Sequence, residues 1–445
     1  MKRILLLTSI TIGLLTSCTS STTEKTSNVL AEKSPKNIIM IVGDGMGPAY
    51  TTAYRYYKDD LSTPLVDLTI FDELLVGMAS TYPVQSQGYV TDSAAAATSL
   101  ATGHKTYNGA ISVNTEKEDL LTIMEQAKQL GKKTGLAVTS QINHATPAAY
   151  FSHNESRRNY NEIADSYFDK RIDGQFKADV MLGGGTNYFI RDDRNLVEEF
   201  KQEGYQYIDK FSDLNTLNFQ QPVLGLFADI GLPWALDSQQ PDRLLTLSKA
   251  AIEHLENDNG YVLLIEASQI DWAGHSNDIA AAMGEMEDLA ITLEWLKGYV
   301  DTKEDTLLVV TADHSTGGLS IAADGDYRWS PDILKTIPSS PHAIAKQLLN
   351  HKSKENKLDG ALLSKLFGFD LTQEEQKSLV SLTDDKALYL QIKSIMSKRT
   401  NSGWTTGGHT GVDVQVFARG VGSQAFNGHQ TNTDIAKKIF SFLSK

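Results

Sequence analysis

The chain has 445 residues, with 55 Asp and Glu against 41 Lys and Arg and a formal net charge of −14. That balance argues against a broad nucleic-acid-binding surface, because phosphate backbones are met by clustered cations. With 22% charged and 41% hydrophobic residues it is neither a disordered tail nor a polytopic membrane protein, and its one cysteine cannot close an internal disulfide.

The N-terminus has the layout of a secretory signal: a basic tip, Lys2 and Arg3, then an apolar run from Ile4 to Leu15 that is short for a membrane span. It closes on Leu15-Thr16-Ser17-Cys18, which resembles the bacterial lipobox, where the cysteine is lipidated and becomes the first mature residue. The competing reading is an ordinary signal peptide with an incidental cysteine. Residues 1–17 are therefore expected to be removed. Residues 18–36, rich in Ser and Thr and without apolar periodicity, should form a flexible tether behind lipidated Cys18. The body, residues 37–445, would then be exported and held on a membrane through that lipid, facing the periplasm or the cell exterior.

Within the body, short apolar runs stop abruptly at polar residues. Asn37 to Val42 stops at Gly43-Asp44-Gly45, Lys133 to Thr139 before Asn143-His144-Ala145-Thr146, Tyr261 to Ile265 at Glu266, and Thr306 to Val310 at Thr311-Ala312-Asp313-His314. Such β-branched runs suit strands buried on both faces of a largely parallel sheet. Helical patterns lie between them, as in Leu120–Leu130 and Arg243–Glu256. The alternation predicts a three-layer α/β/α sandwich around a large, mostly parallel sheet. Ligands of open sheets bind outside the strand carboxyl ends, where Asp44, Thr146, Glu266, Asp313 and His314 would gather. The stretch from about 331 to 399 is Lys/Glu-rich and helical, with a capping box expected from Thr372 and Glu375, and reads as a helical insertion near the site edge.

Several residues carry candidate chemistry. Asp271 and His275, four apart on one helical face, are suitable zinc ligands, and Gly407-Gly408-His409-Thr410-Gly411 sets a further histidine in a glycine-rich loop. Thr91-Asp92-Ser93 followed by four alanines reads as a helix start, putting Ser93 beside free N–H groups and the positive helix end. Alone it would be a plain cap; beside a metal cluster it becomes a nucleophile candidate. Met181 to Gly185 lacks the ending of a P-loop and reads as a tight turn after a strand.

Assembled in order, the segments GDGMG (Gly43–Gly47), TDSAAAAT (Thr91–Thr98), HATPAAY (His144–Tyr150), EASQIDWAGH (Glu266–His275), TADHSTGG (Thr311–Gly318) and GGHTG (Gly407–Gly411) closely resemble the alkaline phosphatase family from Asn37 to about Gly420. The resemblance implies Ser93 as nucleophile, with Asp271, His275 and His409 on one zinc and Asp44, Asp313 and His314 on a second. It implies Asp44, Thr146 and Glu266 on a third ion, usually magnesium. It also implies Arg157, eleven residues after Thr146, as the phosphate-binding arginine rather than its neighbour Arg158. His144 and Trp272 stand at positions that vary in the family and should lie near the third ion and the phosphate. Imidazole favours zinc over magnesium, so His144 leaves both metals open at the third site. Trp272, lacking a charge, should loosen product phosphate.

The activity so implied is hydrolysis of small phosphate monoesters through a phosphoserine, in a chain that could form the homodimer common in the family. Two other readings stand beside it. One is a phosphodiesterase or sulfatase of the same superfamily, the sulfatase lacking its C/S-x-P-x-R motif around Ser93. The other is a non-catalytic, lipid-anchored metal-binding protein.

Overall fold

The computed structural model describes residues 34–240, 242–355 and 358–444. The signal segment, Cys18 and most of the expected tether lie outside the described residues.

Ten strands form one sheet in the order Gly428–Thr431, Leu75–Ser80, Val414–Gly420, Thr306–Thr311, Asn37–Gly43, Tyr261–Ala267, Lys133–Gln141, Val180–Gly184, Val223–Leu226 and Gln206–Ile208. Only Val414–Gly420 runs antiparallel to its neighbours; the rest are mutually parallel. The continuous apolar runs occupy the middle, where every residue of Asn37–Gly43, Tyr261–Ala267 and Thr306–Thr311 is buried. Helices cover the sheet, among them Arg243–Leu255, Ile279–Asp301 and Asn432–Leu443. The α/β sandwich with a large, mostly parallel sheet is therefore observed.

Register explains where the chemistry collects. Val42 pairs with Thr311 on one side and Glu266 on the other, and Val138 pairs with Glu266. Asp44 and Asp313, each two residues beyond a paired position, thus come level at the carboxyl edge. Glu266 proves to be the penultimate residue of its strand rather than the residue following it, because the ladder continues to Ala267. Gly45 permits the closest approach: its φ is +73°, and a Cβ there would stand 2.7 Å from the Asp271 Cα. Met181 to Gly185 is a strand end and turn, with Gly185 at φ +116° before the short helix Thr186–Phe189.

The segment near 331–399 contains the helices Pro341–Glu355, Gly360–Phe367, Gln373–Val380 and Asp385–Thr400, with the Thr372/Glu375 capping box formed. Its neck is a two-stranded ribbon, Ser320–Ile321 against Ser402–Gly403, so the excursion spans a few more residues than its helical composition suggests.

The expected helix at Leu120–Leu130 is observed as Ile123–Gln129, capped by Thr122 and Glu125. Glu125 is also an electrostatic hub, its Oε1 accepting from Lys177 Nζ at 2.7 Å and lying 2.8 Å from His153 Nε2. Burial pushes this carboxyl up, but the hydrogen bond and charge of His153 and the charge of Lys177 outweigh it and hold it at about 2. A depressed carboxylate adds stability above its unfolded pKa of about 4.5, and that stability is lost as pH falls toward 2. Glu125→Gln should therefore destabilise the metal-free protein by about 3 kcal/mol at pH 7 and flatten its stability curve between pH 4.5 and 2. Urea unfolding across that range checks it, and parallel curves for both proteins would refute it.

Candidate active site

Ser93 is the first residue of the helix Ser93–Thr102, all ten of whose side chains are buried. Alanine makes this packing feasible, since the helix lies close against Ala145–Phe151 and Asn432–Leu443. Asp92 caps it, Oδ1 accepting from Ala95 N at 3.0 Å and from Gly109 N at 3.0 Å. Asp92 Oδ2 accepts from Arg157 Nη1 at 3.1 Å, and Arg157 Nη2 lies 3.3 Å from His144 Nε2. One carboxylate thus fixes both the serine-bearing helix and the arginine. Arg157 is held charged: burial opposes it, but Asp92 more than compensates. Arg158 is exposed and takes no part.

Ser93 Oγ lies 3.1 Å from His314 Nε2, and that nitrogen stands 3.1 Å from Asp313 Oδ2 and 3.6 Å from Asp44 Oδ1. Two further histidines have their orientation set from behind. His275 Nδ1 donates to Gly407 O at 2.7 Å and His409 Nδ1 to Thr91 O at 2.8 Å, leaving each Nε2 with its lone pair. Those two Nε2 atoms are 3.2 Å apart, and they lie 3.4 and 3.7 Å from the Asp271 carboxylate oxygens.

Among the described residues, three trios of donor atoms each fall within 4.8 Å: Asp271, His314 and His409; Asp44, Asp313 and His314; and Asp44, His144 and Glu266. The grouping differs in part from that implied by resemblance. His314 is shared by two trios because its ring stacks on His409, centroids 3.5 Å apart, while His275 sits at the rim with its side chain 42% exposed. His144 belongs to the third trio through a donor nitrogen of its own. Thr146 is fully buried beside it on the helix Ala145–Phe151, and Trp272 meets the His144 ring edge-on at 6.0 Å.

The donor set fits divalent cations. Asp44, Glu266, Asp271 and Asp313 are buried together, and both Asp44 oxygens, Asp313 Oδ2, Glu266 Oε1, Thr146 Oγ1 and His144 Nδ1 have no hydrogen-bond partner. Buried charges of one sign are tolerated when paired or coordinated. Burial, then the charges of Asp313, Asp271 and Glu266, push Asp44 well up, and burial pushes Glu266 to about 7. Burial lowers His144 to about 3 and His409 to about 4, with Arg157 and His314 respectively adding to it. Burial would raise Asp313 too, but the charge of His314, with its backbone N–H on Asp313 Oδ1 at 2.9 Å, holds it at about 2. Against burial, Asp313 raises His314, so His144 and His409 are the neutral imidazoles facing these crowded carboxylates, an arrangement suited to coordinating a cation.

Some contributors were not singled out in the sequence. Thr316 Oγ1 donates to Asp271 Oδ1 at 2.5 Å and lies 3.1 Å from His314 Nδ1, tying two clusters together. Ser140 Oγ donates to Glu266 Oε2 at 3.1 Å and accepts from Ser268 Oγ at 3.0 Å, leaving Glu266 Oε1 to face the trio. Asp92 had a local signal, its capping position. Thr316 had a weaker one, standing two residues after His314. Ser140 had none, since its contact crosses 126 residues of sequence.

A buried serine at a helix start, an arginine, and clustered carboxylates and imidazoles at the carboxyl edge of a parallel sheet define a metal-dependent hydrolase. Comparison with known proteins sharpens that class. The alkaline phosphatase family model matches residues 35–445. Alkaline phosphatase 3 of Bacillus subtilis (strain 168) is 46% identical over 413 residues, covering 92% of this chain and 89% of its own length. The crystal structure of a cold-active alkaline phosphatase from a psychrophilic Shewanella species superposes with a TM-score of 0.86 at 48% identity, covering 92% of this chain and all of that one. A histidine-to-aspartate variant of the TAB5 alkaline phosphatase, described with magnesium in its M3 site, superposes at 0.68 with 26% identity, covering 93% and 99%. The chain belongs to the alkaline phosphatase family, enzymes that hydrolyse phosphate monoesters with metal ions.

Proposed function

We propose that this chain hydrolyses small phosphate monoesters through a phosphoserine on Ser93, with two zinc ions and a third ion bound beside it. The observation that carries this reading is the position of Ser93 Oγ, 3.1 Å from Nε2 of His314, a residue of two donor trios, on a helix held by the same aspartate that holds Arg157. Asp271, His275 and His409 would hold one zinc, and Asp44, Asp313 and His314 the other. Asp44, Thr146 and Glu266 would hold the third ion, with His144 beside them. Magnesium is the first choice for the third ion, as the TAB5 variant with a histidine replaced by aspartate holds it in its M3 site, and the His144 imidazole keeps zinc as the alternative. Bound cations would supply Lewis-acid charge to the attacking and leaving oxygens and favour ionised serine near neutral pH.

The protein's own groups do the rest. Ser93 Oγ forms a bond to phosphorus as the ester oxygen leaves with its electron pair, and water then breaks the phosphoserine bond, releasing phosphate and free Ser93. Arg157 presents a guanidinium fork to two phosphate oxygens, fixed by Asp92 and His144, and the helix start adds N–H groups. Three divalent cations, if bound, would with Arg157 outweigh four carboxylates and an alkoxide, giving an acidic protein a locally positive site for a phosphate dianion. Trp272, beside His144, brings no charge to hold the product.

The experiment is hydrolysis of p-nitrophenyl phosphate against bis(p-nitrophenyl) phosphate, with chelation and restoration of zinc and magnesium. The expected result is strong preference for the monoester, loss with chelator and recovery with both metals. Preference for the diester would overturn this reading in favour of a phosphodiesterase.

Export and anchoring through lipid on Cys18 form part of the proposal, with residues 37–445 as the catalytic domain and 331–399 as its insertion. Among the described residues no helix is long and apolar enough to cross a membrane. The homodimer common in the family is proposed for this chain as well.

A further inference from the structure

We propose that Lys393, on the last helix of the insertion, is a positioning residue for the outer cation cluster of Asp271, His275 and His409. The proposal rests on reading that cluster as a metal site.

His275 is the last residue of the helix Gln269–His275, and its side chain is the most exposed of the donors in this cluster. The chain leaves it through Ser276, the C-cap, then Asn277 at φ +53°, and Asp278, the N-cap of Ile279–Asp301. Backbone N–H groups of Ser276, Asn277 and Asp278 close the turn onto Trp272, Gly274 and Ala273 O, but a carbonyl at the helix end, such as Ser276 O, needs an outside partner.

Two residues of the helix Asp385–Thr400 add that outside hold. Lys393 Nζ donates to Ser276 O, an ammonium placed at the negative end of the Gln269–His275 helix. Tyr389 OH donates to Asp278 Oδ2 at 3.3 Å, while Asp278 Oδ1 accepts from Ala281 N at 3.0 Å. Lys393 and Tyr389 stand one turn apart on the same face, with Nζ 4.6 Å from the Tyr389 ring centroid. The insertion thereby grips both sides of the turn that carries His275.

The same helix continues toward the other histidine. It ends at Asn401 (φ +60°), enters the neck strand Ser402–Gly403, and the chain then runs through Trp404 to His409. His275 Nδ1 and Gly407 O close the circuit at 2.7 Å. One rigid helix therefore anchors the approach to both imidazoles, and removing its cation should loosen the outer cluster without touching the buried one.

The test uses the full chain, stripped and titrated with zinc against a chromophoric chelator, with the melting temperature of the metal-free protein measured in parallel. His275→Ala identifies the binding step that belongs to the outer cluster. Lys393→Met, which keeps the aliphatic stem, should weaken that step about 10-fold and leave the other steps and the metal-free melting temperature unchanged. Lys393→Arg should restore it. Wild-type zinc affinity in Lys393→Met would overturn the proposal, as would equal weakening of every step with a lower metal-free melting temperature. If His275→Ala removes no binding step, the reading of the cluster fails and the proposal with it.

Discussion

Ser93→Ala should lower turnover of p-nitrophenyl phosphate by on the order of 10³-fold or more, while the protein keeps its metals and its fold. The effect is large because of where Ser93 stands: its Oγ lies 3.1 Å from Nε2 of His314, a residue of two donor trios, and the Arg157 fork is tied to the residue that precedes it. The fold should tolerate the change. Alanine is a good helix former, the next four residues are alanine already, and only one oxygen is lost from a buried first turn. Metal content should remain, since each of the three trios already offers three carboxylate or imidazole donors without Ser93. Activity and bound zinc measured on the same preparation decide the matter. A variant that keeps more than a tenth of wild-type turnover would end the phosphoserine mechanism; one that loses its zinc would make Ser93 a structural residue.

Asp44→Asn is expected to be as severe in activity, for a different reason. Asp44 belongs to two of the three trios, and neither of its oxygens has a hydrogen-bond partner within the protein. Removing its charge should weaken two ion sites together and lower turnover by on the order of 10³-fold. The same substitution should make the metal-free protein more stable than the wild type. Burial and the charges of Asp313, Asp271 and Glu266 hold the Asp44 carboxyl above its ordinary value. A carboxyl so raised costs the metal-free fold stability as pH rises above about 3.8, and asparagine removes that cost. Thermal melts of both proteins, with and without zinc, should show opposite shifts. A metal-free Asp44→Asn protein that melts below the wild type would show that the carboxylates do not repel one another as the geometry requires.

The two variants separate two parts of the machine. Loss of Ser93 removes the reacting atom and spares the ion sites; loss of Asp44 removes the frame and leaves the reacting atom in place. The structural basis is the register of three central strands, which brings Asp44, Glu266 and Asp313 level although they are far apart in the chain.

Much of this was readable along the chain. Buried parallel strands need continuous apolar runs, so their ends are marked by the first polar residues, and Asp44, Glu266 and Asp313 were found that way. Ser93 was legible because a capping residue before an alanine run is a local signal. Other contributors were hidden for the reason that made these visible. Ser140 supports Glu266, and Thr316 supports Asp271, through contacts set by strand order rather than by neighbours in sequence. The insertion shows the same limit: its helices and its Thr372 capping box follow from composition and spacing, but the contact of Lys393 with Ser276 does not.

The sequence by itself determined the family, the sheet architecture and most of the residues that gather at the sheet edge, because periodicity, capping and motif are local properties. Tertiary structure decided how the candidate donors are grouped: His314 falls in two trios, His144, Asp44 and Glu266 come within 4.8 Å of one another, and His275 lies at an exposed rim. Coordination depends on distances of a few ångströms between side chains, and those are fixed only when strands pair in register and helices pack upon them.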